Sequence, residues 1–410
     1  MADATMTHSI LVVAGEASGD AHAAELVHEI RLLAEQNGVA APRFHGMGGE
    51  RLAASGVAPL IRMEAVSVIG IVEVVRHLPT IWRTFRELVA VLDRNRPDAA
   101  ILVDFPDFNL RLARQLKRRQ IPVIWYISPQ VWAWRSGRVS QLKQLVTDML
   151  VLFPFEVAFY ARHGMNVTFV GHPLLDRVPR FSPDEKRSLR ERFGLGNDSC
   201  VIALLPGSRR SELRHYLTPM LDAAEKLARH DASLRFVIPR APSLADADFT
   251  PWLRKVGLPV RLIPDAFYET LAVADAAVVA SGTATLETAL VGIPMVIVGK
   301  VAPLTAMYLR RFAPLPYVGL VNYVVGEAAV PELLQEQVTG ENIARRLHDL
   351  LHQTAERERL QAVYAAIRAR LGETGASARA AQAVWQRLTA LPRRAALPFQ
   401  TQPQPDAHAP

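Results

Sequence analysis

Cysteine is nearly absent: Cys200 is the only one in 410 residues. An intramolecular disulfide is therefore excluded, nothing remains for a thiolate metal cluster, and a reducing compartment is expected. No run of about 18 apolar residues occurs, so no membrane-spanning helix is expected. Met1 to His8 holds no apolar segment of signal-peptide length ahead of the first strand, which again points to the cytosol. Aromatic residues make up only 7%, and the basic residues are scattered rather than interleaved with them, which sets nucleic acid aside as a partner. What the chain has in quantity is apolar: half of its residues are hydrophobic, enough at this length for about two α/β domains. A formal charge of +7 favours anionic partners such as a phospholipid surface or a phosphorylated substrate.

One stretch organises the rest, Ala276 to Lys300. An apolar run, Ala277 to Ala280, stops at Ser281-Gly282-Thr283, a helix-forming segment with Glu287 follows, and after Gly292-Ile293-Pro294 a second apolar run spans Met295 to Val298. That is strand, loop, helix, strand. In a parallel unit the loop after the first strand presents N–H groups at a helix N-terminus, where an anion such as phosphate is favoured. Glu287, about a turn further in, has the reach to accept from two sugar hydroxyls, which suggests a nucleotide; an ordinary helix-capping loop reads equally well.

Upstream, Ile10 to Ala14 reads as a buried strand running into Gly15-Glu16-Ala17-Ser18-Gly19-Asp20 before a helix from about Ala21 to Asn37. Two acids stand where a dinucleotide fingerprint would hold a pyrophosphate, so Glu16, Ser18 and Asp20 read as a sugar or hydroxyl site, with a helix cap as the plainer role. Residues 66–88 are apolar on more than one helical face and carry Arg76, His77, Arg83 and Arg86. They form either a buried helix pair or a surface dipping into an anionic membrane interface, with Val68, Ile69, Ile71 and Val72 as the contacts. Ala99 to Val103 is another buried strand and ends in Asp104-Phe105-Pro106-Asp107-Phe108-Asn109. A carboxylate there faces the ligand crevice of a parallel sheet, so Asp104 is placed to take a proton from a hydroxyl; capping is its alternative, and Asp107 can supply that instead. Pro122 to Ile127 leads to Ser128-Pro129-Gln130-Val131-Trp132-Ala133-Trp134-Arg135, whose tryptophans either floor a sugar site or fill core space. Leu150 to Phe153 and Val167 to Val170 add strands, and His172 beyond them reads as structural more readily than as a base.

The charged stretch Asp176 to Asp198 reads as a linker and connecting helix. A second α/β series opens at Val201 to Leu205 and continues into Gly207-Ser208-Arg209, another glycine loop at a helix N-terminus, where Arg209 adds a cation of bidentate geometry for phosphate or else forms a surface salt bridge. Strands at Arg235 to Ile238 and Val260 to Ile263 follow. Asp246 and Asp248 have metal-pair spacing but lie in a loop of low order between prolines, and are set aside. Asn322 and Gln335 offer amides near the expected cleft. Helices over about Thr339 to Leu371 and Ala376 to Thr389 close the fold. The divisions expected are 9–172, a linker at 173–198, 199–350, closing helices at 351–390 with a return to the first domain left open, and a disordered proline-rich tail at 391–410.

GEASGD at Gly15, Asp104 with FPDFN, SPQVWAWR at Ser128, LPGSR at Leu205 and ASGTATLE at Ala280 occur in this order. Together, over about residues 9–390, they closely resemble the lipid-A-disaccharide synthase family. The resemblance implies the α/β glycosyltransferase B fold, two Rossmann-like domains facing a cleft. It also implies transfer of diacylglucosamine from UDP-2,3-diacylglucosamine to the 6-hydroxyl of 2,3-diacylglucosamine 1-phosphate, with inversion, no metal or other cofactor, and peripheral association with the cytoplasmic face of a Gram-negative inner membrane. Asp104 matches the family's essential aspartate and Arg209 its essential arginine. Val321 departs from a proline often found before the family's asparagine, and Phe105 from a small residue in the aspartate loop.

The residues then divide into roles. Asp104 is the expected base and Arg209 the expected stabiliser of leaving UDP; Gly207, Ser208, Arg209, Ser281, Gly282, Thr283, Glu287, Asn322 and Gln335 are expected on the donor, and Glu16, Ser18, Asp20 and Asp107 on the acceptor. A homodimer is left open. Two other classes fit parts of the pattern: a UDP-sugar 2-epimerase of the same architecture, which would not need the apolar basic surface, and a noncatalytic lipid-binding protein, which would not explain Asp104 or Arg209.

Overall fold

The computed structural model describes residues 7–63, 71–134, 136–301 and 316–392. The chain divides after Pro173 and again after Gly372, and the segment from Glu373 returns to the first unit. The first unit holds a parallel sheet of β1 (Ser9–Ala14), β2 (Arg43–Gly48), β3 (Ala58–Arg62), β4 (Ala99–Val103), β5 (Val123–Tyr126), β6 (Asp148–Val151) and β7 (Thr168–Phe169), in the order β3-β2-β1-β4-β5-β6-β7. Continuous apolar runs make β1, β4 and β5, because a parallel strand covered on both faces has no side for polar residues. Ile10 to Val13, Ala99 to Val103 and Ile124 to Tyr126 are accordingly almost without exposure. Periodicity does not announce β2, RFHGMG. Its Gly46 lies so close to β1 that a Cβ there would fall 1.7 Å from the Val12 carbonyl oxygen, so the glycine that hides the strand is what lets it pair.

The returning helix, Ala376–Thr389, packs on the helix Ala17–Gln36 that follows β1. Arg387 forks onto Asp148 at 2.6 and 2.8 Å, and Arg379 donates to the Val170 carbonyl at 2.8 Å. These charge-assisted bonds tie the helix to the far half of the sheet.

The second unit repeats the pattern with β8 (Val201–Leu205), β9 (Arg235–Arg240), β10 (Val260–Pro264), β11 (Ala276–Ala280), β12 (Met295–Gly299) and β13 (Glu332–Leu334), ordered β10-β9-β8-β11-β12-β13 and parallel throughout. Residues 174–198, read from sequence as a linker, belong to this unit as the helices Leu174–Arg177 and Pro183–Arg192. Arg190 anchors them by donating to the Val273 carbonyl at 3.0 Å and to Asp275 at 2.9 Å. The long helical stretch after Thr339 is two helices, Gly340–His352 and Thr354–Arg370, broken at Gln353. Residues 393–410, expected to be disordered, lie outside the described residues.

In each sheet the sequential order reverses beside the first strand, between β1 and β4 and between β8 and β11. At such a reversal the loops leave toward opposite faces and open a crevice at the carboxyl ends, where open α/β sheets bind ligands.

Candidate functional site

Asp104 follows β4 at the first reversal, where Ala14 and Val103 are paired across β1 and β4. Asp104 and Phe105 both adopt left-handed backbone conformations, with φ of 45° and 49°. Each such non-glycine residue costs on the order of 1–3 kcal/mol unless its surroundings enforce it. Enforcement comes from three sides: the Asp104 N–H donates to the Tyr126 carbonyl at 3.1 Å, the Asn109 amide donates to the Asp104 carbonyl at 2.7 Å, and Pro106 opens the helix Pro106–Arg118. The turn directs the carboxyl group beyond the strand end. Burial there, and then the negative charge of Glu16, push its pKa up to about 7, against a stabilising bond from the Phe105 N–H. Near neutral pH the group is poised between its two forms, as a general base needs to be.

Beside it lies a cavity of about 260 Å³ whose lining includes Asp104, Ser128, Gln130, Trp132, Arg138 and Glu156. Glu156 is 2% exposed; it accepts from the Phe153 N–H at 3.0 Å and from the Trp132 indole at 3.2 Å. Burial raises its pKa to about 7 in spite of those donors. Ser128 Oγ and the Tyr160 hydroxyl meet at 2.6 Å behind it. Sequence reasoning missed Glu156, Tyr160 and Arg138; Glu156 stands three residues after Phe153, which has no oxygen to complete a capping box, so no such signature marked it. Trp132 packs edge-on against Phe155 and lines the cavity, so it serves both as packing and as wall. His172 is buried against the Phe153 ring and lies outside this lining.

The acceptor residues expected from sequence separate. The helix begins at Ala17, earlier than expected, so Ser18 and Asp20 lie in its first turn rather than in a loop. Ser18 is exposed and Glu16 half-buried, both at the carboxyl end of β1. Asp20 is 3% exposed, and its oxygens accept from the N–H groups of Gly49, Arg51 and Leu52 at 2.6, 3.1 and 3.3 Å. Its carboxylate is thus engaged in capping the helix Glu50–Ala54, which corrects its assignment to the acceptor. Asp107 pairs with Arg138 at 2.7 Å on the cavity rim.

At the second reversal, β8 ends in Gly207 (φ 110°), Ser208 and Arg209, and β11 ends in Ser281, Gly282 and Thr283. Glu212 turns back onto the first loop: its Oε2 accepts from the N–H groups of Ser208 at 2.8 Å and Arg209 at 3.2 Å, and the Arg209 guanidinium lies 3.6 Å from Oε1. A protein carboxylate therefore holds the donors that sequence assigns to a phosphate. On β11 the loop is open: Gly282 (φ 154°) has nothing within 4 Å of the position a Cβ would take, and the helix Ala284–Val291 starts beyond Thr283. Ser281 Oγ donates to the Val318 carbonyl at 3.3 Å. Glu287 accepts from the Tyr268 hydroxyl at 2.8 Å, and burial holds its pKa above the usual carboxylate range. Tyr268 was not legible as a partner, being nineteen residues upstream on another helix.

Asn322 and Gln335 do not present free amides. Asn322 is fully buried; it donates to the Val330 carbonyl and to Glu332, and accepts from the Val330 N–H, all at 2.8–2.9 Å. The Gln335 amide pairs with both backbone groups of Val301 at 3.2 Å. These bonds hold the segments flanking β13, which corrects Asn322 in particular from ligand contact to frame. Of the expected membrane contacts, Val68 and Ile69 lie outside the described residues, and Ile71 and Val72 open the helix Ile71–Arg94. Further along that helix Trp82 is 55% exposed and stacks on Phe85 at 5.7 Å.

A family model described as lipid-A-disaccharide synthetase matches residues 10–386. The lipid-A-disaccharide synthase of Geobacter sulfurreducens is 43% identical over 383 residues, covering 93% of this chain and 98% of that protein. Among solved structures, the glycotransferase of kitacinnamycin superposes with a TM-score of 0.61 at 16% identity, covering 93% and 99%. The UDP-GlcNAc 2-epimerase of Neisseria meningitidis, bound to UDP-GlcNAc, gives 0.59 at 13% over the same shares. At such identities the structural likeness establishes the glycosyltransferase B fold and leaves the chemistry to the residues.

Proposed function

Because the chain belongs to the lipid-A-disaccharide synthase family, we propose that Asp104 and Arg209 carry its reaction, transfer of diacylglucosamine from UDP-2,3-diacylglucosamine to the 6-hydroxyl of 2,3-diacylglucosamine 1-phosphate. The chain is a glycosyltransferase of lipid A synthesis. Ionised Asp104 takes the hydroxyl proton as that oxygen bonds to the anomeric carbon from the face opposite UDP. The bond to the diphosphate breaks with inversion, giving the β-1′,6 disaccharide 1-phosphate and UDP. Charge developing on UDP is met by Arg209 and by the N–H groups after Gly282, fixed dipoles that do the work of a metal ion, and by those after Gly207 only where Glu212 releases them. Glu287 is assigned the donor ribose, and the cavity beside Asp104 the acceptor sugar, with Glu16 near enough to act on the Asp104 carboxyl.

The observation that carries this reading is Asp104 itself, a carboxyl group at a switch point with its pKa moved to about 7. The test is incubation of the purified protein with both lipids in EDTA, followed by mass spectrometry. The disaccharide 1-phosphate and an equal amount of UDP are expected; dependence on added metal would overturn metal independence, and UDP release without the disaccharide would overturn the transfer.

Peripheral binding to an anionic membrane belongs to the same proposal, since both substrates carry acyl chains. Its support is the net charge of +7, the exposed Trp82 and the neighbouring Arg83, 74% exposed. Sedimentation with anionic liposomes is expected to carry the protein down, and W82A or Ile69→Asp to weaken it; equal sedimentation of the folded variants would remove these residues from the contact.

A further inference from the structure

Resting on the assignment of Asp104 as the base, we infer that Phe105, seated on Gly15, is the positioning residue that sets where the Asp104 carboxylate stands. Gly15 opens the loop after β1 and Phe105 closes the loop after β4, so the contact bridges the first reversal from one side to the other. A Cβ built on Gly15 would fall 2.3, 2.5 and 2.6 Å from Cδ1, Cγ and Cε1 of the Phe105 ring. The ring also packs on Phe108 at 5.5 Å, and Phe108 on the buried Phe85, also at 5.5 Å. The ring is clamped between a glycine and the core.

Contact at Cγ matters most. A clash at the far edge of a ring is relieved by a small rotation, but Cγ moves only when χ1 or the backbone moves, and a χ1 change also gives up the Phe108 contact. The backbone at Phe105 is one of two consecutive left-handed residues, and the other is Asp104. Dihedral change at one is transmitted directly to its neighbour, so displacement of the ring by a methyl group on residue 15 becomes displacement of the carboxylate. Misplacement of a reacting group by roughly 1 Å costs up to about a hundred-fold in rate. Glycine at 15 and the bulky residue at 105 thus form a matched pair.

The test is the cycle G15A, F105A and G15A/F105A, with kcat and KM for both lipids measured on the full chain and folding checked by circular dichroism. G15A is expected to lose roughly ten- to a hundred-fold in kcat with each KM within about two-fold. F105A is expected to lose less, about five-fold, and the double variant to recover to within about three-fold of F105A, because the methyl then has nothing to strike. A double variant as slow as G15A, or slower, overturns the inference. Should G15A fail to fold, F105A decides: wild-type kcat in that variant overturns it equally. The wild-type control separates the two levels, since a wild type making no disaccharide would bring down the functional assignment, whereas an active wild type with independent variants would bring down the positioning role alone.

Discussion

Replacing Glu16 by Gln should move the acid limb of the rate to lower pH. Asp104 is pushed from 3.8 to about 7 first by burial and then by Glu16, so removing the charge while keeping the shape undoes only the second cause. A close, partly solvated charge is worth roughly one pH unit. The sign follows from the chemistry: the base works ionised, its protonated form dominates below its pKa, and the rate therefore rises as pH passes through that value. With the limb near 7 about a tenth of the enzyme is active at pH 6, and with the limb near 6 about half, so kcat for E16Q should be about five-fold above wild type at pH 6 and equal to it at pH 8. The assay is release of UDP at saturating donor and acceptor, so that weaker acceptor binding is not read as a change in the base. An unmoved limb, or one moved upward, would refute the coupling between these two carboxylates.

Arg209→Lys keeps the charge but loses the planar fork, and should lower kcat about ten-fold with a folded enzyme; wild-type turnover would show that Arg209 acts as a point charge or not at all. Glu212→Gln removes the carboxylate that now holds the Ser208 and Arg209 N–H groups, and should lower the donor KM about two- to five-fold, read by initial rates; an increased KM would mean the carboxylate prepares the loop instead of competing for it. Asn322→Ala strands the Val330 backbone groups and Glu332, costing about 3 kcal/mol and roughly 6–12 °C in Tm by calorimetry. An unchanged Tm would return Asn322 to the ligand.

Buried parallel strands were legible because an apolar run bounded by a glycine or polar turn has few other meanings, whereas the strand order, and with it both reversals, was not. The positions of Asp104 and Arg209 were legible because each lies in the loop that follows a buried strand, β4 and β8; their roles are those proposed above. What stayed hidden depends on contacts distant in sequence. Asp20 looked free until its N–H partners arrived from Gly49, Arg51 and Leu52; Glu287 gave no hint of Tyr268; and β2 was masked by the glycine that lets it approach β1. Glu212 was hidden for another reason: Arg209, three residues before it, has no oxygen to complete a capping box, so that signature did not mark it.

The central claim is that the Asp104 carboxylate removes the acceptor proton, and Asp104→Asn tests it most directly, because the amide keeps the size of the group and cannot act as a base. With folding confirmed by thermal unfolding, kcat for the disaccharide is expected to fall about a hundred- to ten-thousand-fold while the donor KM stays near wild type. Turnover within a few-fold of wild type in that variant would contradict the account.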